Sequence, residues 1–585
     1  MQRRIRRSLR SRFLLVALLA AVPSTRAQDD APERASGWTD KMPVASRQFM
    51  VAAANPLAVE AGYRILRQGG SAVDAAISVQ LVLNLVEPQS SGIGGGAFML
   101  VHDGRRNRLV AYDGRETAPA AARPDRFLDA DGKPMNVVDA VVGGRSVGVP
   151  GVVALLAEAH RRHGRLPWAA LFAPAIALSE RGFAISPRLA TLLAAERHFV
   201  QPRARAYFLD ADGRPRAAGT ILRNPAFART LRAIAAGGAN AFYRGEIARD
   251  VVSTADSFAA NPGDLTLADL ANYRIKIRVP VCGVYRAFRV CGMPPPSSGG
   301  ATVLQMLGML DAYDLASMGP ASFWSVHFIS EAGRLAYADR DMYLADPDFA
   351  APPAGLLDPA YLRERARLIR ADTSLGVALP GNPPESEARK AARGMNAALE
   401  LPSTSHISIV DGNGDAVSMT TTIEDAFGSR LMTAGGFLLN NELTDFSFAP
   451  VVNGAPVANR VEPGKRPRSS MAPTIVYDRA GRVFMIVGSG GGPQIINFVA
   501  KTIIGIIDWG LDPQAAVALP NFGSRNGATD LERTSSVAAL APKLEALGAP
   551  VNLTVANSGT QAIVRTKRGW VGGADPRREG IAMGD

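Results

Sequence analysis

The stretch LPSTSHISIVDGNGDAV, residues 401–417, holds the reading on which the fold turns. Its later part reads as strand, turn and strand, because Ile407, Ile409, Val410 and Val417 bracket the turn Asp411-Gly412-Asn413-Gly414. A Ser-Thr-Ser-His cluster stands directly before the first strand, after a polar, Pro-bearing approach. A loop feeding a strand accounts for that arrangement, and so does a threonine that does not stay in mid-chain. A threonine hydroxyl is a poor nucleophile without a base, and its own α-amine becomes that base once the preceding peptide bond is cut. Such chemistry asks for Thr404 at a strand start, a flexible approach and oxyanion donors elsewhere. Thr422, in the partner strand SMTTTIEDAFGS, is placed to hydrogen-bond the Thr404 hydroxyl. In GSGGGPQ, residues 488–494, a glycine turn follows the strand VFMIV and opens a helix, so the N–H groups of Gly491 and Gly492 can face an anion or an oxyanion.

Outward from this stretch the chain changes character. From residue 404 it is strand-rich, in HISIV, AVSMTTTI, APTIVY and RVFMIVGS, then helical over 493–518, then strand again. Upstream, FMVAAANPLAVEAGYRILRQGGSAVDAAISVQLVLNLVEP predicts a short strand and two helices separated by Gly69-Gly70 and ended by Pro88. Helical segments dominate 151–400. Strands grouped beside helices, rather than alternating with them, point to a layered α+β or α/β body with packed antiparallel sheets.

The chain has 585 residues, 47% hydrophobic and 20% charged, enough for a large buried core. Residues 1–27 read as a secretory signal peptide: an Arg-rich start, the apolar run from Phe13 to Val22, and a cleavage site after Ala27. The apolar run is too short to span a membrane, and no later stretch reaches the roughly 18 apolar residues a span needs. The expectation is a periplasmic or secreted protein with no membrane span in its mature form. The leader holds seven Arg and no acid, so the formal charge of +12 falls to +5 on its removal. The remaining basic residues are interleaved with acids, which argues against a nucleic-acid partner. Cys282 and Cys291 flank Arg286-Ala287 in two strand-like runs; a hairpin turning there sets them opposite each other, either as a disulfide or as two buried thiols. Two Cys and six dispersed His offer no metal-ligand spacing, so no metal or cofactor is expected.

Two further motifs compete for attention. Gly144-Arg-Ser146-Val-Gly148 matches a nucleophile elbow, with His327 or His406 available as the later base of an α/β-hydrolase, although Pro150-Gly151 interrupts the join to the following helix. GIGGGA, residues 92–97, fits a dinucleotide fingerprint formally, but a helix precedes it where a strand is required, so a glycine turn bringing backbones together is the better account.

The order of GGSAVDAAI, SSGIGGGAFML, DGRETAP, VGVPG, MPPPSSGG, TSHISIVDGNGDAV, TTIEDAFGS, LLNNELTDF, PGKRPRSSMAPTIV and GSGGGPQII resembles the γ-glutamyltranspeptidase family of N-terminal-nucleophile hydrolases, across nearly the whole mature chain. The resemblance implies a four-layer αββα sandwich. It also implies a precursor cut between Ser403 and Thr404 into a large subunit, 28–403, and a small subunit, 404–585, which pair as one globular body. Thr404 would cleave γ-glutamyl amides, glutathione among them, and pass the group to water or to an amino acid or peptide acceptor. Gly491 and Gly492 would supply oxyanion N–H groups. Arg115, Ser469 and Ser470 match the residues that hold the substrate carboxylate; Glu442 and Asp445 match those that hold its ammonium, and Glu424 stands where many members have Asn. Pro493-Gln494 replaces a common Ser-Arg, and the 447–464 segment, a lid in some relatives, is shorter and lacks Tyr. A glutaryl or cephalosporin acylase of the same family is the nearest alternative, but a glutaryl group has no ammonium for Glu442 and Asp445. A processed, catalytically silent binding protein is another.

Overall fold

Two antiparallel sheets of seven strands each lie at the centre of the fold. The first runs Ile581–Gly584, Met50–Ala53, Ser405–Val410, Ala416–Thr422, Gly96–Asp103, Arg108–Gly114 and Lys276–Arg278. The second runs Val44–Ser46, Gly569–Ala574, Gln561–Thr566, Val483–Gly488, Thr474–Tyr477, Phe288–Gly292 and Val281–Tyr285. Helices Pro56–Arg67 and Ala72–Val86 cover the outer face of the first sheet, and helices Gly299–Leu310 and Ile495–Ile507 cover that of the second. The order of layers is α, β, β, α, the expected sandwich. This computed structural model describes residues 37–384, 393–398 and 400–585. The leader expected over 1–27 lies outside the described residues.

Local chemistry explains the elements. Ser71 and Asp74 cap each other's backbone at the start of helix Ala72–Val86, satisfying orphan donors that the first turn leaves open. That helix is buried along its whole length, which accounts for an apolar sequence without a polar face. The single helix expected over 493–518 is instead two, Ile495–Ile507 and Pro513–Ala518. Gly510 takes φ 63° between them, and Pro513 opens the second with Asp512 as its cap, so the chain turns where the apolar pattern alone predicts an uninterrupted helix.

The strand Ser405–Val410 pairs on one side with Ala416–Thr422 and on the other with Met50–Ala53. Ile407 and Ile409 join the core on the helical side. His406 and Ser408 face the second sheet, and Ser408 Oγ donates to the Gln561 carbonyl at 3.2 Å. The polar face of this strand is thus buried between sheets and hydrogen-bonded there, as burial demands. Cys282 and Cys291 face each other in the hairpin register and form a disulfide. Among the described residues no helix is long and apolar enough to cross a membrane, and no group of His, Cys, Asp or Glu could hold a metal ion.

Candidate active site

The site is assembled by register. Ser405 pairs with Thr421, so Thr404, one residue earlier, meets Thr422, one residue later. Their hydroxyls are 3.1 Å apart, Thr404 Oγ1 donating to Thr422 Oγ1. Thr422 Oγ1 also accepts the Glu424 N–H at 2.9 Å. Thr404 is only 4% exposed and Ser403 is fully buried. The Ser403 carbonyl accepts the N–H of Gly491 at 3.4 Å, the Ser403 hydroxyl donates to the Gln89 carbonyl at 2.8 Å, and Arg578 Nη1 donates to the Thr404 carbonyl at 3.0 Å. The peptide bond between Ser403 and Thr404 is therefore gripped on both sides, with a backbone donor on the carbonyl that would become an oxyanion.

Thr404 takes φ 116°, a region that a β-branched residue rarely enters, at a cost of about 1–3 kcal/mol. Cutting the bond before it removes that torsion, since a chain-terminal residue has no φ. The conformation is strain that a cut at this bond would release.

Gly491 has φ 128° and leads into the short turn Gly492–Gln494 that opens helix Ile495–Ile507. Ahead of it, Gly490 lies so close to the Thr404 carbonyl that a Cβ would come within 2.2 Å of it. The other glycine segment, 92–97, is a packing device: a Cβ on Gly95 would sit 2.1 Å from the Thr422 carbonyl.

Thr404, Thr422, Glu424, Glu442, Asp445, Arg115, Ser469, Ser470 and Gly492 line one narrow cavity of about 20 Å³, together with Glu400 and Leu401 from the approach segment. Gly491 stands just behind it. Every expected site residue is thus at one place. The chemistry at its acidic end is crowded. Arg115 is buried and ion-paired with Glu442 and Asp445, while its Nε and Nη2 also donate to the carbonyls of Pro467 and Arg468 at 3.1 and 2.8 Å. Burial pushes Glu442 and Asp445 well above the ordinary carboxylate range, with Arg115 opposing it. Burial, then repulsion from Asp445, Asp425 and Glu442, does the same to Glu424. Burial also raises Glu116, beside Glu442, to about 7. One guanidinium faces four carboxyl groups, and burial holds all four above the ordinary carboxylate range. Asp445 Oδ1 is buried with no hydrogen-bond partner among the described residues. Ser469 Oγ accepts the Met471 N–H at 3.1 Å.

Ser146 is not at a strand-to-helix elbow. It ends a short turn, Gly144–Ser146, and its hydroxyl donates to the carbonyls of Val141 and Gly143 at 2.7 and 3.1 Å. His327 is bonded to the Arg370 carbonyl, and His406 to Thr420 and Ser408, so neither serves Ser146. The α/β-hydrolase alternative is overturned. The segment 447–464 forms a small hairpin, Val451–Val452 with Ala455–Pro456, and Gly394 of the approach segment donates to the Pro456 carbonyl at 3.0 Å.

Several residues escaped the sequence reading. Glu116 and Arg468 stand inside the motifs DGRETAP and PGKRPRSSMAPTIV but next to the residues singled out there. Arg340 lies in the buried helix Phe323–Tyr343, where a charge in an enclosed helix was itself a signal. Glu400 gave none.

Among known proteins, residues 58–585 match the family described as Gamma-glutamyltranspeptidase. The chain is 36% identical to a glutathione hydrolase proenzyme of Bacillus subtilis (strain 168), covering 98% of this chain and 97% of that one. It is 35% identical to the acylase ACY 1 proenzyme of Pseudomonas sp. (strain SE83), over 86% of this chain and 87% of the relative. A cephalosporin acylase structure from Bacillus halodurans superposes with a TM-score of 0.80 at 27% identity, covering 95% of this chain and 99% of that one.

Proposed function

The chain belongs to the gamma-glutamyltranspeptidase family, and on that premise we propose that it is an exported precursor that cuts itself before Thr404 and then hydrolyses or transfers γ-glutamyl groups, glutathione being the natural donor. The observation that carries this reading is the grip on one peptide bond: Thr404 Oγ1 on Thr422 Oγ1, and Gly491 N–H on the Ser403 carbonyl.

In the first reaction Thr404 Oγ1 adds to the Ser403 carbonyl carbon, and the oxyanion is held by Gly491, with Gly492 as second donor. The C–N bond breaks, the hydroxyl proton ends on the departing nitrogen, and an ester joins Ser403 to Thr404. Water opens the ester, leaving a large subunit ending at Ser403 and a small subunit, 404–585, beginning with a free threonine amine. In the second reaction that amine takes the proton as Thr404 Oγ1 attacks the γ-carbonyl of the donor and gives it to the leaving amine. Water or an amino acid or peptide then takes the γ-glutamyl group from the ester.

The charges around the cavity support a γ-glutamyl rather than a glutaryl donor. A donor ammonium would draw Glu424, Glu442 and Asp445 into their ionised forms and release Arg115 toward the donor carboxylate beside Ser469 and Ser470. A glutaryl group would leave those acids without a cation. Intact mass and N-terminal sequencing of the wild type beside Thr404→Ala test the first reaction. Two fragments, the smaller starting Thr-Ser-His-Ile, with the variant uncut, are expected; an uncut, active wild type sinks it. Rates on γ-glutamyl and glutaryl anilides test the second, and a preference for glutaryl would make the chain an acylase.

A further inference from the structure

Glu400, three residues before the bond to be cut, lines the cavity, and its carboxylate is enclosed. Arg340 pairs with it through Nη2, Arg468 Nη2 lies 3.2 Å from it, and the Ser470 hydroxyl donates to its other oxygen. Burial alone would raise this carboxyl, but Arg340 and then Arg468 hold it at about 2. Both guanidiniums are buried, at 3% and 1% exposure. They share a second carboxylate, Asp341, at 2.9 and 3.0 Å. The uncut chain thus has two buried cations facing two anions.

An external donor cannot reach Thr404 while Glu400 and Leu401 wall the cavity, so the freed end of the approach segment must withdraw after cleavage. Its departure leaves two guanidiniums with Asp341 alone, and an uncompensated buried cation is costly. Ser470 Oγ loses its acceptor at the same moment, and Arg468 Nε is already buried with no hydrogen-bond partner among the described residues.

We propose that Arg340 and Arg468, with the hydroxyl of Ser470, form a carboxylate seat that Glu400 fills in the precursor and the α-carboxylate of the donor fills in the cut enzyme. The proposal rests on the γ-glutamyl reading and adds to it two specificity-determining arginines. The position suits an α-amino acid: in the uncut chain Arg115 joins the two regions, pairing with Glu442 and Asp445 and bonding the carbonyl of Arg468 itself, so the cationic seat adjoins the acidic cluster, as a carboxylate and an ammonium on one carbon require, and Arg115, once released, reaches the same carboxylate. Glu400 is then both a plug and a stand-in for substrate, and cutting the chain converts an internal carboxylate into a vacancy of the same charge.

Two experiments test this. In cut enzyme, Arg468→Leu should lower kcat/KM for γ-glutamyl p-nitroanilide about 30-fold or more, chiefly through KM. The α-carboxamide analogue of that donor should change by less than about threefold, since it presents no charge to the seat. A variant that keeps the wild-type preference for the carboxylate overturns the seat. The second experiment needs no cleavage. In the uncut Thr404→Ala chain, adding Glu400→Ala should allow acetate, which replaces the deleted carboxylate, to raise the Tm. Thr404→Ala alone should not respond, and Arg468→Leu should remove the response. Equal response of Thr404→Ala with Glu400 in place, or no response of the double variant, also overturns it. If acetate binds as expected while γ-glutamyl anilide is not cleaved, the seat stands and the γ-glutamyl reading fails; cleavage with an unchanged carboxylate preference in Arg468→Leu fails the seat alone.

Discussion

Two glycine-rich segments of similar composition, GIGGGA at 92–97 and GSGGGP at 488–493, use the absence of a side chain in opposite ways. The first gives up space: Gly94 and Gly95 let the backbone press against the carbonyls of Leu438 and Thr422. The second gives up conformational restriction: Gly491 at φ 128° turns its N–H toward the Ser403 carbonyl. The difference lies in the element that each segment leads into. The first opens into strand Gly96–Asp103, so its backbone groups enter a sheet ladder; the second opens into a helix, and N–H groups at a helix start have no partner within the helix. Glycine content marks neither a binding loop nor a packing loop, and the next element decides.

Substitutions can break this comparison. The largest effect belongs to the group the second segment serves: Thr404→Ala should abolish both cleavage and turnover, as read by intact mass and anilide release. Next, Gly491→Ala forces alanine to a glycine backbone at φ 128° and displaces the donor, so self-cleavage should slow about 100- to 1,000-fold, an effect larger than the about 1–3 kcal/mol of stability that the strained backbone costs. Gly95→Ala should do the reverse, costing about 2–4 kcal/mol of stability by chemical denaturation while each folded molecule still cuts itself at the normal rate. If Gly491→Ala mainly destabilises, or Gly95→Ala mainly slows cleavage, the distinction collapses. Thr422→Val, which removes the partner of Thr404 Oγ1, should slow cleavage about tenfold, the size of one hydrogen bond.

The smallest effect concerns the strand that carries the second segment. The ring of His406 lies against Gly488, and burial lowers its pKa to about 3. The folded state then binds fewer protons than the unfolded state between that value and the ordinary 6.5 of histidine, so stability is full above this window and is lost as pH falls through it. Between about pH 7.5 and pH 6 the share due to His406 should be about 0.8 kcal/mol, and His406→Asn should remove that share while leaving the part due to His102 and His163, which burial also lowers. Denaturant midpoints measured across that range check the sign.

The sequence by itself determined the parts that are local. A threonine at a strand start, its neighbour on the paired strand, a glycine turn before a helix, and the hairpin that sets Cys282 opposite Cys291 all follow from short-range periodicity and turn chemistry, and their partners are at most 18 residues apart. Motif order added the αββα architecture and collected Arg115, Glu424, Glu442, Asp445, Ser469 and Ser470 into one site. Only the tertiary structure decided how charge is balanced there. Arg115 meets Glu442 across 327 residues, and Arg340 meets Glu400 and Ser470 across 60 and 130. Such pairings depend on which buried surfaces the layers bring together. A charge read along a chain looks like a solvated surface group until the fold removes the water and obliges it to find its opposite.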